Sequence, residues 1–278
     1  MVDITQMEVI IVMSGEEYLN RYDKRQEITY KTQDNDFLYT EYDLMEYYAN
    51  KEIGTLILVN PDNPSGNYLY KDSVLVLLDW CRNNKIRLIL DESFADFSDE
   101  DNNTLIQEKY IEKYTNIVII KSISKTYGVP GLRLGVLVSG DIDLVNKIKS
   151  DVSIWNINSI SEHFMQIEAK YSNEYRNALQ MVKDERNRFV KKLNTIDTIK
   201  VYPSQANFVM IELISRVTAN ELTNILYRKY NIIIKNLSSK ISYNNRQYIR
   251  VAIKNMSENE YFFNSIRTEL VIRAKGAY

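Results

Sequence analysis

The sequence predicts an α/β fold, with a mostly parallel sheet in a large domain and a small α+β domain at the carboxyl end. Three observations carry this. Short runs of Ile, Val and Leu alternate with segments of helical periodicity through the first half of the chain. Those runs are nearly continuously apolar, the pattern of strands covered on both faces and therefore of a parallel sheet. From Ser159 to Leu193 the chain is polar, helically spaced and free of glycine and proline, and a strand, helix, strand, strand pattern follows it.

Taken in order, strands are expected at Val9–Met13, Thr55–Val59, Arg87–Leu90, Ile117–Lys121 and Gly135–Ser139, each short and rich in Ile and Val. Helices are expected at Tyr42–Lys51 and Lys71–Asn83. The second places Val74, Leu77, Leu78 and Cys81 on one face and Asp72 near its start. Ser159–Leu193 reads as one or two long helices forming a spine between domains. The small domain then takes its strands from VYPSQANFVMIEL, NIIIKNL and RQYIRVAIK, with a helix at Ala219–Tyr230 after the first of them. A last helix over Glu258–Ile272 precedes a loose tail. The expected organisation is a large domain over 1–160, connecting helices over 161–190 and a small domain over 191–278.

Composition narrows the partners. With 278 residues and 45% hydrophobic content the chain can bury sizeable cores. Its formal charge of -2 gives no electrostatic support for binding nucleic acid or an anionic membrane. No apolar run reaches the roughly 18 residues of a membrane span, and MVDITQMEVIIVMSG lacks a basic leader. Cys81 is the only cysteine, so no disulfide can form within the chain and a cytoplasmic location is expected. A zinc site has no support from one cysteine and one histidine, His163, and no GxSxG nucleophile turn exists. No metal is expected, and small molecules are the expected partners.

Three of the apolar runs discharge into polar groups: LILVNPDNPSG, IRLILDESFADF and IVIIKSISKTYGVPGLRLG. In layered α/β folds the loops leaving the carboxyl ends of strands build the binding site. Lys125 lies between a buried strand and the GVPG turn, where partial desolvation can free its amine for covalent chemistry. Asp91 follows LIL directly, and a strand-end carboxylate there can cap a helix or pair with a cation. Arg133, eight positions after Lys125, offers fixed donors to an anion. Arg250, inside the apolar run YIRVAI, is costly to bury without a partner. Asn60 and Asn63 have the look of turn formers, as does Asn207 at a strand entry.

The runs NPDNPSG, DESFADF, SISKTYGVPGLRLG and YIRVAIK, in this order and spacing, resemble the fold-type I pyridoxal-phosphate enzymes of the class I and II aminotransferases. The likeness is to the histidinol-phosphate aminotransferases and threonine-phosphate decarboxylases, and it covers roughly Val9 to Asn264. It implies pyridoxal 5'-phosphate as cofactor, covalently bound through Lys125, which would also shuttle the substrate's α-proton. By the same resemblance Asp91 pairs with the pyridine nitrogen and Asn63 bonds the ring oxygen. Ser122, Ser124 and Arg133 hold the phosphate, Arg250 clamps the substrate carboxylate, and Asn207 lies near the substrate. The implied reaction is transfer of an amino group between an amino acid, or its phosphate ester, and a 2-oxo acid. Decarboxylation of a phosphorylated amino acid is the alternative, to which the DESF variant lends weight, and a homodimer is the implied assembly.

The departures from that pattern are specific. The chain's eight glycines include no Gly-rich turn ahead of Val9, where the family cradles the phosphate at a helix start. The family's N-terminal arm is likewise missing, so the large domain is read as truncated at the N-terminus. Gly15 falls where an aromatic stacks on the cofactor ring, and Phe94 replaces a tyrosine that bonds its oxygen. A fused or partner chain completing the pocket, and a catalytically impaired remnant, are the further readings this leaves open.

Overall fold

The computed structural model describes residues 36–238 and 246–274, with side chains through 271. The expected strand at Val9–Met13, and Gly15, lie outside the described residues. The chain divides into two compact units, each described by itself. One comprises the described residues up to Asn60 with Leu69–Asp96 and Glu100–Tyr175; the other comprises Pro61–Tyr68, Phe97–Asp99 and the described residues from Arg176 on.

In the first unit β1 (Thr55–Val59), β2 (Arg87–Asp91), β3 (Ile117–Lys121) and β4 (Val136–Ser139) form one sheet in that order. The first three are parallel and β4 runs antiparallel to β3. The register aligns Leu56, Leu88 and Ile117 across the sheet, and Leu58, Leu90 and Ile119 two residues on. That face is the core. Against it packs α2 (Lys71–Asn83), whose Val74, Leu77, Leu78 and Cys81 are all buried at helical spacing. Glu100 accepts the first helical N–H, from Lys71, at 3.0 Å, supplying the cap that Tyr70 cannot. The cluster is completed by α1 (Glu41–Tyr48), which starts at a Thr40–Asp43 capping box. Burial pushes the Cys81 thiol up to about 12, so it stays a neutral core residue.

Burial on both sheet faces was expected, and the described residues show an uneven second face. Val118 is buried, Ile89 is half-buried and Ile57 is 67% exposed. Ile57 lies on β1, which pairs only with β2 among the described residues. Helices α3 (Glu108–Lys113) and α5 (Ile142–Asp151) were not anticipated. Between β3 and β4 the chain forms the single turn α4 (Ile123–Thr126) and a 3-10 turn at Pro130–Leu132. The spine is two helices, α6 (Ser159–Ile167) and α7 (Ser172–Leu193), joined by a 3-10 turn over Glu168–Tyr171.

In the second unit the strand order is β5 (Ile199–Val201), β6 (Phe208–Leu213), β8 (Gln247–Ala252), β7 (Lys235–Asn236), antiparallel throughout. VYPSQANFVMIEL supplies β6 and only the last residue of β5, because the chain turns back through Tyr202–Asn207, which includes Pro203, and pairs β6 antiparallel with β5. The core gathers Val209 and Ile211 of β6 and Ile249 and Val251 of β8. Leu222 and Leu226 of α8 (Ala219–Tyr230) join them, with Phe262, Ile266 and Leu270 of α9 (Met256–Ala274). No helix among the described residues is long and apolar enough to cross a membrane.

Candidate active site

In the first unit the polar strand ends are tied to one another through backbone. β2 ends at Asp91, whose Oδ1 accepts the N–H of Ser93 at 2.8 Å and so turns the chain off the strand. The Ser93 hydroxyl then accepts the N–H of Ser122 at 3.0 Å, linking the end of β2 to the end of β3. Glu92 faces the other way: it is 2% exposed and accepts from Thr104 Oγ1 and Leu105 N. Burial raises its pKa, and its role is to hold the 104–105 loop.

Lys125 lies in the single turn α4, exposed, with Nζ 4.6 Å from the centre of the Phe94 ring. Phe94 thus offers the Lys125 ammonium an aromatic face. Ser124 is 3% exposed, and its hydroxyl is engaged with the backbone of Leu134, accepting its N–H at 3.0 Å and donating to its carbonyl at 3.3 Å. Between them Arg133 is forced into the left-handed region at φ 56° and left exposed, a conformation that costs a non-glycine residue about 1–3 kcal/mol. The Ser124–Leu134 bonds hold it there.

Sequence reasoning missed Lys121, Asp96 and Tyr175. Lys121 Nζ meets Asp96 Oδ1 at 2.6 Å, with only 15% and 14% of the two side chains exposed. Tyr175 Oη donates to the other oxygen of Asp96 at 2.6 Å. Asp96 sits inside the quoted run DESFADF, but no local pattern names a partner 79 positions away.

In the second unit, Pro61–Gly66 of NPDNPSG form a closed turn in which Gly66 N–H reaches the Asp62 carbonyl at 2.8 Å and Ser65 bonds the Asp62 carboxylate. Gly66 has φ 81°, and a Cβ there would stand 2.2 Å from Ser204 Oγ. Only glycine allows that approach. The turn presents Asn63, whose Oδ1 accepts from Arg250 Nη1 at 2.5 Å. Arg250, on β8, also lies 4.9 Å from the Phe208 ring, and burial lowers its pKa. The partner required by an arginine inside YIRVAI is thus the asparagine of the turn. The Asn207 carbonyl accepts the Ile253 N–H at 2.8 Å, fixing the backbone beside β8. Asn60 and Leu69, the stems of the turn, belong to the first unit and share two 2.8 Å bonds.

Lys125, Asp91, Ser122 and Arg133 therefore occur together at the carboxyl ends of β2 and β3 and in the connection to β4, while Asn63 and Arg250 meet in the second unit. A groove of about 800 Å³ opens at the opposite ends of the first sheet, around the Arg87–Asp141 ion pair, and contains none of these residues.

A family model described as aminotransferase class I and II matches residues 7–266. The L-serine phosphate decarboxylase of Sulfurospirillum multivorans is 31% identical over 229 residues, 81% of this chain and 58% of the relative. The histidinol-phosphate aminotransferase of Ruminiclostridium cellulolyticum is 32% identical over 181 residues, 65% of this chain and 48% of the relative. A solved structure of a decarboxylase from Sulfurospirillum multivorans superposes with a TM-score of 0.78 at 30% identity, covering 86% of this chain and 61% of that one. The chain spans under two-thirds of the length of these curated relatives.

Proposed function

The chain belongs to the class I and II aminotransferases, a pyridoxal-phosphate-dependent family, and from that premise we propose that it acts at the α-carbon of an amino acid or its phosphate ester. Amino transfer to a 2-oxo acid is the leading reading. The observation that supports chemistry at the α-carbon is the placement of Lys125 one turn beyond β3, whose neighbour β2 ends at Asp91.

The donor set fits the cofactor: a primary amine for the aldehyde, a carboxylate for the pyridine nitrogen, and a hydroxyl with a guanidinium for the phosphate. When bound, pyridoxal phosphate supplies a ring that spreads negative charge developing at the α-carbon. Asp91 would keep the ring nitrogen protonated, and the Lys125 amine would take the proton from the α-carbon and, in amino transfer, deliver it to the cofactor carbon that carried the aldehyde. Ser122 and Arg133 would hold the phosphate, and Ser124, bonded to Leu134, would act one step back by holding Arg133. By the family resemblance Asn63 would serve the ring oxygen, Arg250 the substrate carboxylate, and Asn207 would border the substrate.

The test is to add pyridoxal phosphate to the full chain, follow the visible absorption band, and locate the borohydride-reduced adduct by peptide mass. A band on Lys125, absent from Lys125→Ala, is the expected result; a band that survives the substitution sinks the reading. Decarboxylation has support of its own, since a relative named L-serine phosphate decarboxylase is among the matches. Carbon dioxide release from L-serine phosphate, without conversion of the cofactor to its amine form by glutamate, selects it over transamination. A homodimer is the assembly we expect, checked by light scattering. A cytoplasmic location is what we expect of a chain with a single cysteine and so no disulfide of its own.

A further inference from the structure

A single helical turn such as α4 has almost no stability of its own, because nucleating a turn fixes several dihedrals for one hydrogen bond. What holds it must come from outside. Lys121, the last residue of β3, is bonded to Asp96, which is bonded to Tyr175. The Tyr175 ring lies flat against Tyr127, with centroids 4.1 Å apart and planes within 7°. Tyr127 closes α4, its N–H reaching the Ile123 carbonyl at 3.2 Å. The path leaves the backbone four residues before Lys125 and rejoins it two residues after.

We propose that Lys121, Asp96, Tyr175 and Tyr127 form a positioning network that fixes the turn carrying Lys125 and so sets where its amine stands. The proposal rests on the reading of Lys125 as the cofactor-bearing amine. Asp96 is the hub, because both its oxygens are engaged by short bonds in a part-buried setting where an unpaired carboxylate is costly. Burial, and then the Asp96 charge, pushes the ionisation of Tyr175 well up, so its hydroxyl remains a donor. Burial, and then Glu168, does the same for Tyr127. The network touches neither substrate nor cofactor; it acts through Lys125.

A test that isolates this role uses pyridoxal, the cofactor without its phosphate, so that the phosphate contacts do not enter. The rate of adduct formation is followed by the visible band, and borohydride reduction with peptide mass assigns it to Lys125. Asp96→Asn and Lys121→Gln should form the Lys125 adduct about 10- to 100-fold more slowly, the scale of loss expected from a displacement of roughly 1 Å. Lys121→Arg, which keeps the ion pair, should recover most of the rate. Tyr175→Phe removes one oxygen and keeps the ring stack; it should be slowed in the same sense, and it carries the test should Asp96→Asn fail to fold. Wild-type rates in Asp96→Asn, Lys121→Gln and Tyr175→Phe overturn the network, as does Lys121→Arg being as slow as Lys121→Gln. A wild-type chain that forms no adduct on Lys125 overturns the underlying reading as well, so the two failures are distinguishable.

Discussion

Arg186 shows how much one side chain carries. It is 1% exposed, and its guanidinium donates to the carbonyls of Phe97 and Ala206 and to Asp99 at 2.6, 3.3 and 2.7 Å. Asp99 is 45% exposed and can be rehydrated, so the cost of removing the arginine falls on the two carbonyls and the vacated space. Arg186→Leu should lower the stability of the second unit by about 2–4 kcal/mol, read from the urea midpoint, and Arg186→Lys should recover part of it. Ser124 makes the complementary point. Its hydroxyl is committed to Leu134, so Ser124→Ala should weaken pyridoxal-phosphate affinity by about tenfold through Arg133, the equivalent of roughly 1.4 kcal/mol. A titration of the visible band against cofactor concentration measures this. The sequence named Ser124 and Arg133 together but could not tell a ligand from a support. That distinction depends on where a hydroxyl points, and the partner, ten residues on, is brought close by a turn.

Elements were legible where their signal is local. Lys71–Asn83 and Ile117–Lys121 form over the expected residues because a 3.6-residue apolar stripe and a compact run of β-branched residues are each complete in consecutive positions. NIIIKNL has the composition of a strand and gives only Lys235–Asn236. Two of its isoleucines serve the end of α8 instead: Asn231 takes the left-handed cap at φ 54° and the Ile232 N–H returns to the Leu226 carbonyl, while Ile232 and Ile234 pack on the core. An apolar run satisfies that demand as readily as it satisfies a sheet. The NPDNPSG turn rests on Gly66, where an alanine would meet both a positive φ and the Ser204 side chain. Gly66→Ala should cost at least about 1–3 kcal/mol by urea denaturation and displace Asn63 from Arg250.

For the whole molecule, buried and half-buried tyrosines set an alkaline limit. Tyr127 and Tyr175 in the first unit and Tyr202 in the second all have their ionisation pushed up, in each case chiefly by burial. Unfolding returns them to the ordinary value near 10. The unfolded chain then releases protons that the folded chain retains, so their contribution is fully present below about pH 10 and is lost as pH rises beyond it. Urea midpoints compared between pH 8 and pH 11 should fall only above about pH 10, and Tyr175→Phe should flatten that fall. By itself the sequence determined the layered α/β class, most strand and helix positions, and the polar strand ends at which Asp91 and Lys125 stand, because hydrophobic period and turn chemistry are written in neighbouring residues. Only the tertiary structure decided that Asp96 joins Lys121 to Tyr175, that Asn63 receives Arg250 and that Ser124 faces Leu134. These pairs are separated along the chain by 10 to 187 positions, and at such separations packing, not local propensity, selects which polar groups meet.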